Sequence, residues 1–346
     1  MKKRFAFVLA MILCMSLLTA CGGKEETPAA TDGEASAGTP EYTFSLSWEA
    51  SETSVGGMAL VYFAEAIEEM SEGRIACNVY QNAQLGTSRE VIEGIQSNQV
   101  TMMLCTGASQ SNFVPDIAIY DCGFSIPNKE AFRALLTDEE LNNALRDAYA
   151  EAGLYLLGGI DGGFRTLAAN KVINTPDDIK GMSLRTQETK WHMATWEAIG
   201  ANVTPLAFAE LYTALEQGTV ECQENPVEML ATNRLYEVQE YVMTTNHNVN
   251  NYMMIMNKEF SDSLPADLQK VVNDAYVYAY ENCLEYLDTN YEANVQTILD
   301  YGCTMPEMAE ENLQKFVDAA KPVWEQIKTE CSDEVWDAYF AVLENY

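Results

Sequence analysis

The alternation of strand-like and helix-like segments between residues 42 and 257 most strongly constrains the fold of this chain. Short apolar runs read as strands, and most are followed by segments with apolar residues at helical spacing. Such alternation favours α/β lobes, whose ligand sites lie beyond the carboxyl ends of the strands. Strands are predicted over 42–48, 75–80, 100–105, 154–157, 164–168, 182–186, 201–206, 220–223 and 252–257, and helices over 54–70, 87–96, 129–136, 138–151, 191–199 and 208–216.

A helical pattern from 265 to 301 follows these strands and is long enough to pass behind more than one lobe. The body that begins at residue 42 holds about 305 residues, which exceeds one small core and suits two lobes. The sequence therefore predicts two α/β lobes with a long helix spanning both of them.

The N-terminus has the pattern of an export signal. Lys2, Lys3 and Arg4 precede an apolar run over 5–18, and Cys21 follows a small residue. This predicts a signal peptide over 1–20 and a lipid on Cys21, as in bacterial lipoproteins. The alternative is an ordinary secretory signal with an incidental cysteine. Residues 21–41 contain no large apolar side chain and predict a lipid-anchored flexible tether.

The formal charge of −32 sets the kind of partner the chain can take. Such a surface repels nucleic acid phosphates, so no nucleic acid partner is expected. A site for an anionic solute must therefore place its few cations close to the solute. This is feasible because salt screens the repulsion from the negative surface beyond about 8 Å. The seven cysteines of the body lack CxxC spacing and suit buried small apolar positions. His192 and His247 lack ligand spacing, so no metal and no cofactor are expected.

Two isolated arginines and a polar segment form the candidate site. Arg185 ends a predicted strand, and its planar guanidinium matches a carboxylate with two parallel hydrogen bonds. Arg165 closes a Gly-Gly-Phe-Arg segment, and Asn225 lies in a predicted Glu-Asn-Pro turn. An arginine at a strand end is more often a surface ion pair, and that alternative stays open at this stage.

Three motifs in order resemble the solute-binding proteins of TRAP transporters (tripartite ATP-independent periplasmic transporters) of the DctP type. They are INTPDDIKGMSLRT at 173–186, TPLAFAELYTALEQG at 204–218 and QENP at 223–226. The resemblance implies a two-lobed periplasmic-binding-protein-like fold with a long hinge helix behind both lobes. It implies lobe I over 42–162 plus 251–290 and lobe II over 163–250 plus 291–346, with the C-terminal residues packed on lobe II.

The resemblance also implies ligand-binding residues. KGMSLRT matches the family pattern around the carboxylate-binding Arg185, assisted by Arg165 and Asn225. Phe208 is either a pocket wall or core, and Trp48 either covers the solute or packs in the core. The sequence departs from the family after Arg185, so the roles of Glu188, Trp191 and His192 stay open. The remaining candidates are at the ends of strands in the first lobe or at the lobe crossing: Ser47, Thr106 and Tyr252.

These features predict an extracytoplasmic binding subunit that captures a small organic acid and delivers it to small and large permease subunits. It is expected to be a monomer on the outer face of the cytoplasmic membrane. The enzyme motifs GxSxG, HExxH, P-loop and GxGxxG are missing. Two alternatives remain: a binding lipoprotein that feeds a sensor or an ATP-driven (ABC) importer, and a secreted α/β enzyme acting on an organic acid.

Overall fold

The structure is a computed structural model that describes residues 39–346. The predicted signal peptide, Cys21 and nearly all of the predicted tether lie outside the described residues. The described residues fold as one compact unit around a single mixed sheet. Its eight strands lie in the order β2-β1-β3-β8-β4-β7-β5-β6.

The strands are short at both edges of the sheet and long at its centre. They are β1 (Tyr42–Ser47), β2 (Ile75–Tyr80), β3 (Met102–Thr106), β4 (Leu154–Ala169), β5 (Ser183–Thr186), β6 (Asn202–Pro205), β7 (Cys222–Pro226) and β8 (Tyr241–Asn257).

Helices cover both faces of the sheet and fill most of the connections. They are α1 (Val55–Met70), α2 (Ser88–Gln96), α3 (Gly107–Gln110), α4 (Lys129–Thr137), α5 (Glu139–Glu151), α6 (Pro176–Ile179), α7 (Lys190–Ile199), α8 (Phe208–Glu216), α9 (Val227–Thr232), α10 (Lys258–Ser263), α11 (Ala266–Tyr301), α12 (Glu310–Ala320), α13 (Pro322–Lys328) and α14 (Asp333–Leu343), with 3-10 helices at Pro115–Asp121 and Leu235–Glu237.

The antiparallel pair β4 and β8 joins the two halves of the sheet. Near one end of the pair, β8 pairs with β3, β3 pairs with β1, and β1 pairs with β2. We call β1, β2 and β3 the first half of the sheet. Near the other end, β4 pairs with β7, β7 pairs with β5, and β5 pairs with β6. We call β5, β6 and β7 the second half of the sheet. The register of β4 against β8 shifts between Asp161 and Phe164, where Gly163 has a φ of 81°. That left-handed conformation favours glycine, because a side chain would strain it.

The long helix predicted over 265–301 is present as α11, and it contacts helices of both halves. It follows Pro265 and ends at Gly302, whose φ of 113° forms a left-handed cap. The helix packs on α1, which follows the first strand, and on α9, which follows β7. It therefore supports both halves of the sheet from one side.

The Glu-Asn-Pro segment is not a turn, as the sequence suggested, but the end of strand β7. Asn225 pairs with Thr166 of β4, whose hydroxyl donates to the Asn225 carbonyl at 2.9 Å. Pro226 ends the strand and precedes α9. The local composition favoured a turn, but pairing with the long strand β4 outweighs that preference.

The C-terminal residues divide between the two halves, which differs from the expectation that they pack on the second lobe. Helix α12 packs on α6 and α7, whereas α14 packs on α4 and α5 of the first half. Tyr339 is buried there, and its hydroxyl lies 2.8 Å from the Ser125 hydroxyl. The reason is apolar burial, since Tyr339 joins the cluster that contains Phe132 and Leu141.

The seven cysteines of the described residues are all free, and six of them are buried. Burial raises the pKa of their thiols, as at Cys105 within β3, so they stay uncharged. They behave as small apolar residues, in agreement with the interpretation of their spacing.

Candidate ligand-binding cleft

A cavity lies between the two halves of the sheet, and residues from both halves line it. Its empty volume is about 670 Å³, part of which is open to solvent. This position agrees with the rule that α/β ligand sites lie beyond strand ends. Seven of the eight residues predicted to bind the ligand line this one cavity: Trp48, Thr106, Arg165, Arg185, Phe208, Asn225 and Tyr252.

Arg185 lies in β5 and is almost completely buried at the wall of the cavity. Its Nε and Nη2 donate to the Leu206 carbonyl at 3.0 and 2.7 Å. Its Nη1 is buried and has no hydrogen-bond partner among the described residues. The Phe208 ring lies 5.9 Å from the Arg185 Cζ, within cation–π range. The side chain is thus fixed on one edge and free to donate on the other.

Burial lowers the pKa of Arg185 to about 10, and the charge of Arg165 also lowers it, while Glu224 opposes both effects. The guanidinium therefore stays charged at neutral pH. A buried charge with an unpaired donor is unfavourable in an apolar setting, so an anion that meets Nη1 gains a strong partner.

Gln187 follows β5 and presents a second buried donor. Its Oε1 accepts from the Thr106 hydroxyl at 2.5 Å, which links the two sides of the cavity. Its Nε2 is buried without a partner in the described part of the chain. Arg185 Nη1 and Gln187 Nε2 are thus two unpaired donors on residues that line the same cavity.

Arg165 lines the cavity too, but its charge is already compensated. Its Nε and Nη2 donate to the Glu224 carboxylate, and its Nη1 donates to the Asn250 amide oxygen. Both charged groups are buried. Arg165 also fixes Asn225 and Asn250, whose amide oxygens both accept from it, and its assistance to the solute stays a prediction.

Two buried histidines flank the same carboxylate. His192 lies between Asp121 and Glu224, at 3.2 and 3.4 Å, and His247 Nε2 lies 3.1 Å from Glu224. Burial lowers the pKa of His192, but the two carboxylates outweigh it and raise that pKa to about 9. Burial lowers the pKa of His247 below its usual value. His192 is thus part of the charge network behind the cavity.

The other predicted residues have varied surroundings. Trp48 is buried, with its indole Nε1 donating to the Ser54 hydroxyl at 2.9 Å, and it meets the Tyr252 ring edge-on at 4.8 Å. Both rings are mainly packed in the core. Ser47 is buried and does not line the cavity. Trp191 belongs to the apolar cluster of the first half, and Glu188 is exposed at the cavity wall.

Among the polar cavity residues that sequence reasoning missed, three lie next to predicted candidates. Glu49 directly follows the predicted candidates Ser47 and Trp48, and Asn250 directly precedes the return toward Tyr252. Gln187 lies two residues after Arg185, in the segment where the sequence departs from the family pattern. Extending each candidate strand end by two residues would have found all three. Within residues 39–346, no group of His, Cys, Asp and Glu is arranged to hold a metal ion.

Comparison with known families gives one match that spans most of the chain. Residues 45–330 match the model of the bacterial extracellular solute-binding proteins, family 7, also called DctP. A solute-binding protein of Verminephrobacter eiseniae is 32% identical over 67% of this chain and 70% of its own length. The C4-dicarboxylate-binding periplasmic protein DctP of Rhodobacter capsulatus is 29% identical over 81% and 82% of the two chains.

Solved structures share the fold. A TRAP periplasmic solute-binding protein of Sulfurospirillum deleyianum with bound succinate superimposes with a TM-score of 0.82. It is 25% identical and covers 88% of this chain and 100% of its own. Within the described residues, none of the helices combines the length and apolar character that crossing a bilayer requires.

Proposed function

This chain belongs to the DctP family of bacterial extracellular solute-binding proteins, and on that premise we propose that Arg185 captures the carboxylate of a small organic acid in the cleft. Membership confirms the resemblance that the three sequence motifs indicated, and with it the two-lobed α/β fold. The family consists of extracytoplasmic binding proteins of TRAP transporters and not of enzymes.

The observation that carries the proposal is the unpaired Nη1 of Arg185. A buried donor on a charged group requires a partner, and an acceptor of opposite charge satisfies it best. The Rhodobacter relative is named for C4-dicarboxylates, and the Sulfurospirillum structure holds succinate. Both solutes carry the carboxylate that Arg185 is suited to bind. Gln187 Nε2 supplies the second donor from the same side of the cavity.

The two halves of the sheet support the division into two lobes. Lobe I contains 42–162 plus 251–290 and lobe II contains 163–250 plus 291–346, with α14 packed on lobe I. The register shift at Asp161 to Phe164 is the hinge. The Thr106 to Gln187 hydrogen bond connects the lobes when they are closed. A solute that contacts both lobes stabilises the closed form by its differential affinity for that form.

The closed protein then delivers the solute to the small and large permease subunits in the membrane, acting as a monomer and carrying out no reaction. The signal pattern supports cleavage before Cys21 and lipid attachment at its sulfur, which holds the protein on the outer face of the cytoplasmic membrane. A Cys21→Ser variant is expected to lose lipid labelling and to leave the membrane fraction. Unchanged labelling would contradict the anchor.

A thermal-shift screen of organic acids, followed by calorimetry on the acids that bind, tests the proposal. An acid at 100 times its Kd should stabilise the wild type by about 2.7 kcal/mol. Arg185→Ala should lower the affinity at least about tenfold, since a charge-assisted contact is lost. Arg89→Ala is the control, because Arg89 lines the cavity from an exposed position and pairs with Glu93. If Arg185→Ala binds the acid as tightly as Arg89→Ala does, Arg185 has no role in binding. If the protein consumes the bound acid, an enzyme is favoured over a binding protein.

A further inference from the structure

The cavity contains a half-buried carboxylate that binding of a simple organic acid does not explain. Glu49 follows β1 in the first half of the sheet and lines the cavity that Arg185 lines from the second half. Its Oε2 accepts from the Ser88 hydroxyl at 2.5 Å. None of the described residues donates a hydrogen bond to its Oε1.

Charge compensation leaves Glu49 and Arg185 as the two unpaired charges of the inner cavity. Among the charged residues that line it, Arg165 is paired with Glu224 and the exposed Arg89 with Glu93. Glu188 is exposed at the wall and adds a second negative charge near Glu49. The cavity is therefore positive at Arg185 and negative at Glu49.

This distribution of charge disfavours the binding of a dicarboxylate. If one carboxylate of such a solute binds Arg185, the other meets Glu49 and Glu188, which carry the same charge. A neutral hydroxyl is tolerated at Glu49, but it leaves a carboxylate in the closed cleft without an opposite charge. A cation satisfies both the charge and the free acceptor of Glu49.

We propose that Glu49 binds a protonated nitrogen of the solute, so that the ligand is a zwitterion with its carboxylate on Arg185. The ligand class is then small amino or amidino acids. This inference rests on the proposed function, because it takes the carboxylate site at Arg185 as given. Glu49 is the residue that determines specificity among carboxylate-bearing solutes.

The environment of Glu49 supports this assignment. Burial raises the pKa of the Glu49 carboxyl, while the Ser88 hydroxyl and the charge of Arg185 lower it and Glu188 raises it. A carboxylate that has lost water is stabilised most by a cation that replaces this water on closure.

Matched pairs of acids with and without a nitrogen test the proposal by thermal shift and calorimetry. Suitable pairs are 4-aminobutyrate with butyrate, 5-aminopentanoate with pentanoate, and proline with cyclopentanecarboxylate; succinate and gluconate represent dicarboxylates and hydroxy acids. The wild type should bind at least one nitrogen-containing acid at least about tenfold more tightly than its partner without nitrogen. Glu49→Gln should remove most of this preference, because it weakens binding of the nitrogen-containing acid and does not weaken binding of its partner without nitrogen. Glu52→Gln, on an exposed neighbour, is the control.

The outcomes separate this inference from the proposed function. If acids without nitrogen bind as tightly and depend on Arg185, the proposed function stands and the zwitterion is refuted. An unchanged preference in folded Glu49→Gln also refutes it. If a nitrogen-containing acid depends on Glu49 but not on Arg185, the role of Arg185 fails and the role of Glu49 stands. If none of the panel stabilises the wild type, both fail.

Discussion

Arg165 and Glu224 form a buried two-point ion pair, in which Nε of the arginine donates to Oε2 and Nη2 donates to Oε1, the latter at 3.0 Å. The pair joins β4 to β7 directly behind the cavity. Its fixed geometry also holds the amide oxygens of Asn225 and Asn250 toward the guanidinium. Arg165 therefore holds two amide side chains of the cavity in place.

Glu224→Gln should destabilise the fold strongly, because it leaves the Arg165 charge buried without compensation. Removing one partner of a buried pair costs about 3–5 kcal/mol. Urea unfolding measures the change. Asp274→Asn is the matched control, since it breaks the exposed Lys270–Asp274 pair and should change stability by at most about 0.5 kcal/mol. Equal small effects in both variants would show that the buried pair is not required.

The sequence predicted that Arg185 lies at the cavity, but it could not indicate that the charge of Arg165 is compensated by Glu224. Arg185 lies inside a motif that also specifies its strand, so its position at the cavity follows from local sequence. The partners of Arg165 are 59 and 85 residues away, and only the pairing of β4 with β7 and β8 brings them together. Local patterns carry no information on such contacts.

The helices and strands show the same contrast between what local sequence predicts and what distant residues decide. Helices α8 and α11 and strand β2 lie where the apolar periodicity predicted them, within one residue. The two separate strands predicted over 154–157 and 164–168 are one strand, β4. The glycines between them suggested a break, but pairing with β8 continues the strand through irregular register. Periodicity predicts local elements, whereas strand pairing is decided by distant residues.

Gln187→Glu should lower the affinity for the cognate acid at least about tenfold, as measured by calorimetry. The substitution keeps the acceptor for Thr106 but replaces the donor Nε2 with a second acceptor that repels the carboxylate. Gln84→Glu adds the same charge at an exposed position outside the cavity and should leave affinity unchanged. If both variants bind like the wild type, Gln187 does not contact the solute.

Glu228 should make the wild type lose stability as the pH rises from about 4.5 to about 7. Burial raises the pKa of its carboxyl to about 7, although hydrogen bonds from Val55 and Thr232 oppose this. The folded state then holds a proton that the unfolded state has released, so stability is greatest at low pH. The loss amounts to about 3 kcal/mol at most.

Urea unfolding at pH 4.5 and 7.5 measures this effect against Glu228→Gln. The variant cannot titrate at this position, so its stability should change less over this interval. Parallel pH dependence of the two proteins would contradict a titration at Glu228.

His192 should add a second loss of stability at higher pH. Burial lowers the pKa of His192, but Asp121 and Glu224 raise it to about 9, above the usual value of 6.5. The stabilising charge is fully present below about 6.5 and is lost as the pH rises through about 9. The expected change is about 3 kcal/mol. His192→Gln should flatten this part of the stability curve, and a slope equal to that of the wild type would disprove the assignment.

A crystal structure with the solute identified by the screen tests the central claim most directly. A solute carboxylate oxygen should lie about 3 Å from Nη1 of Arg185, with the Leu206 carbonyl still accepting from the other edge of the guanidinium. A solute bound in the cleft with its carboxylate elsewhere, and with Nη1 still lacking an acceptor, would contradict the account.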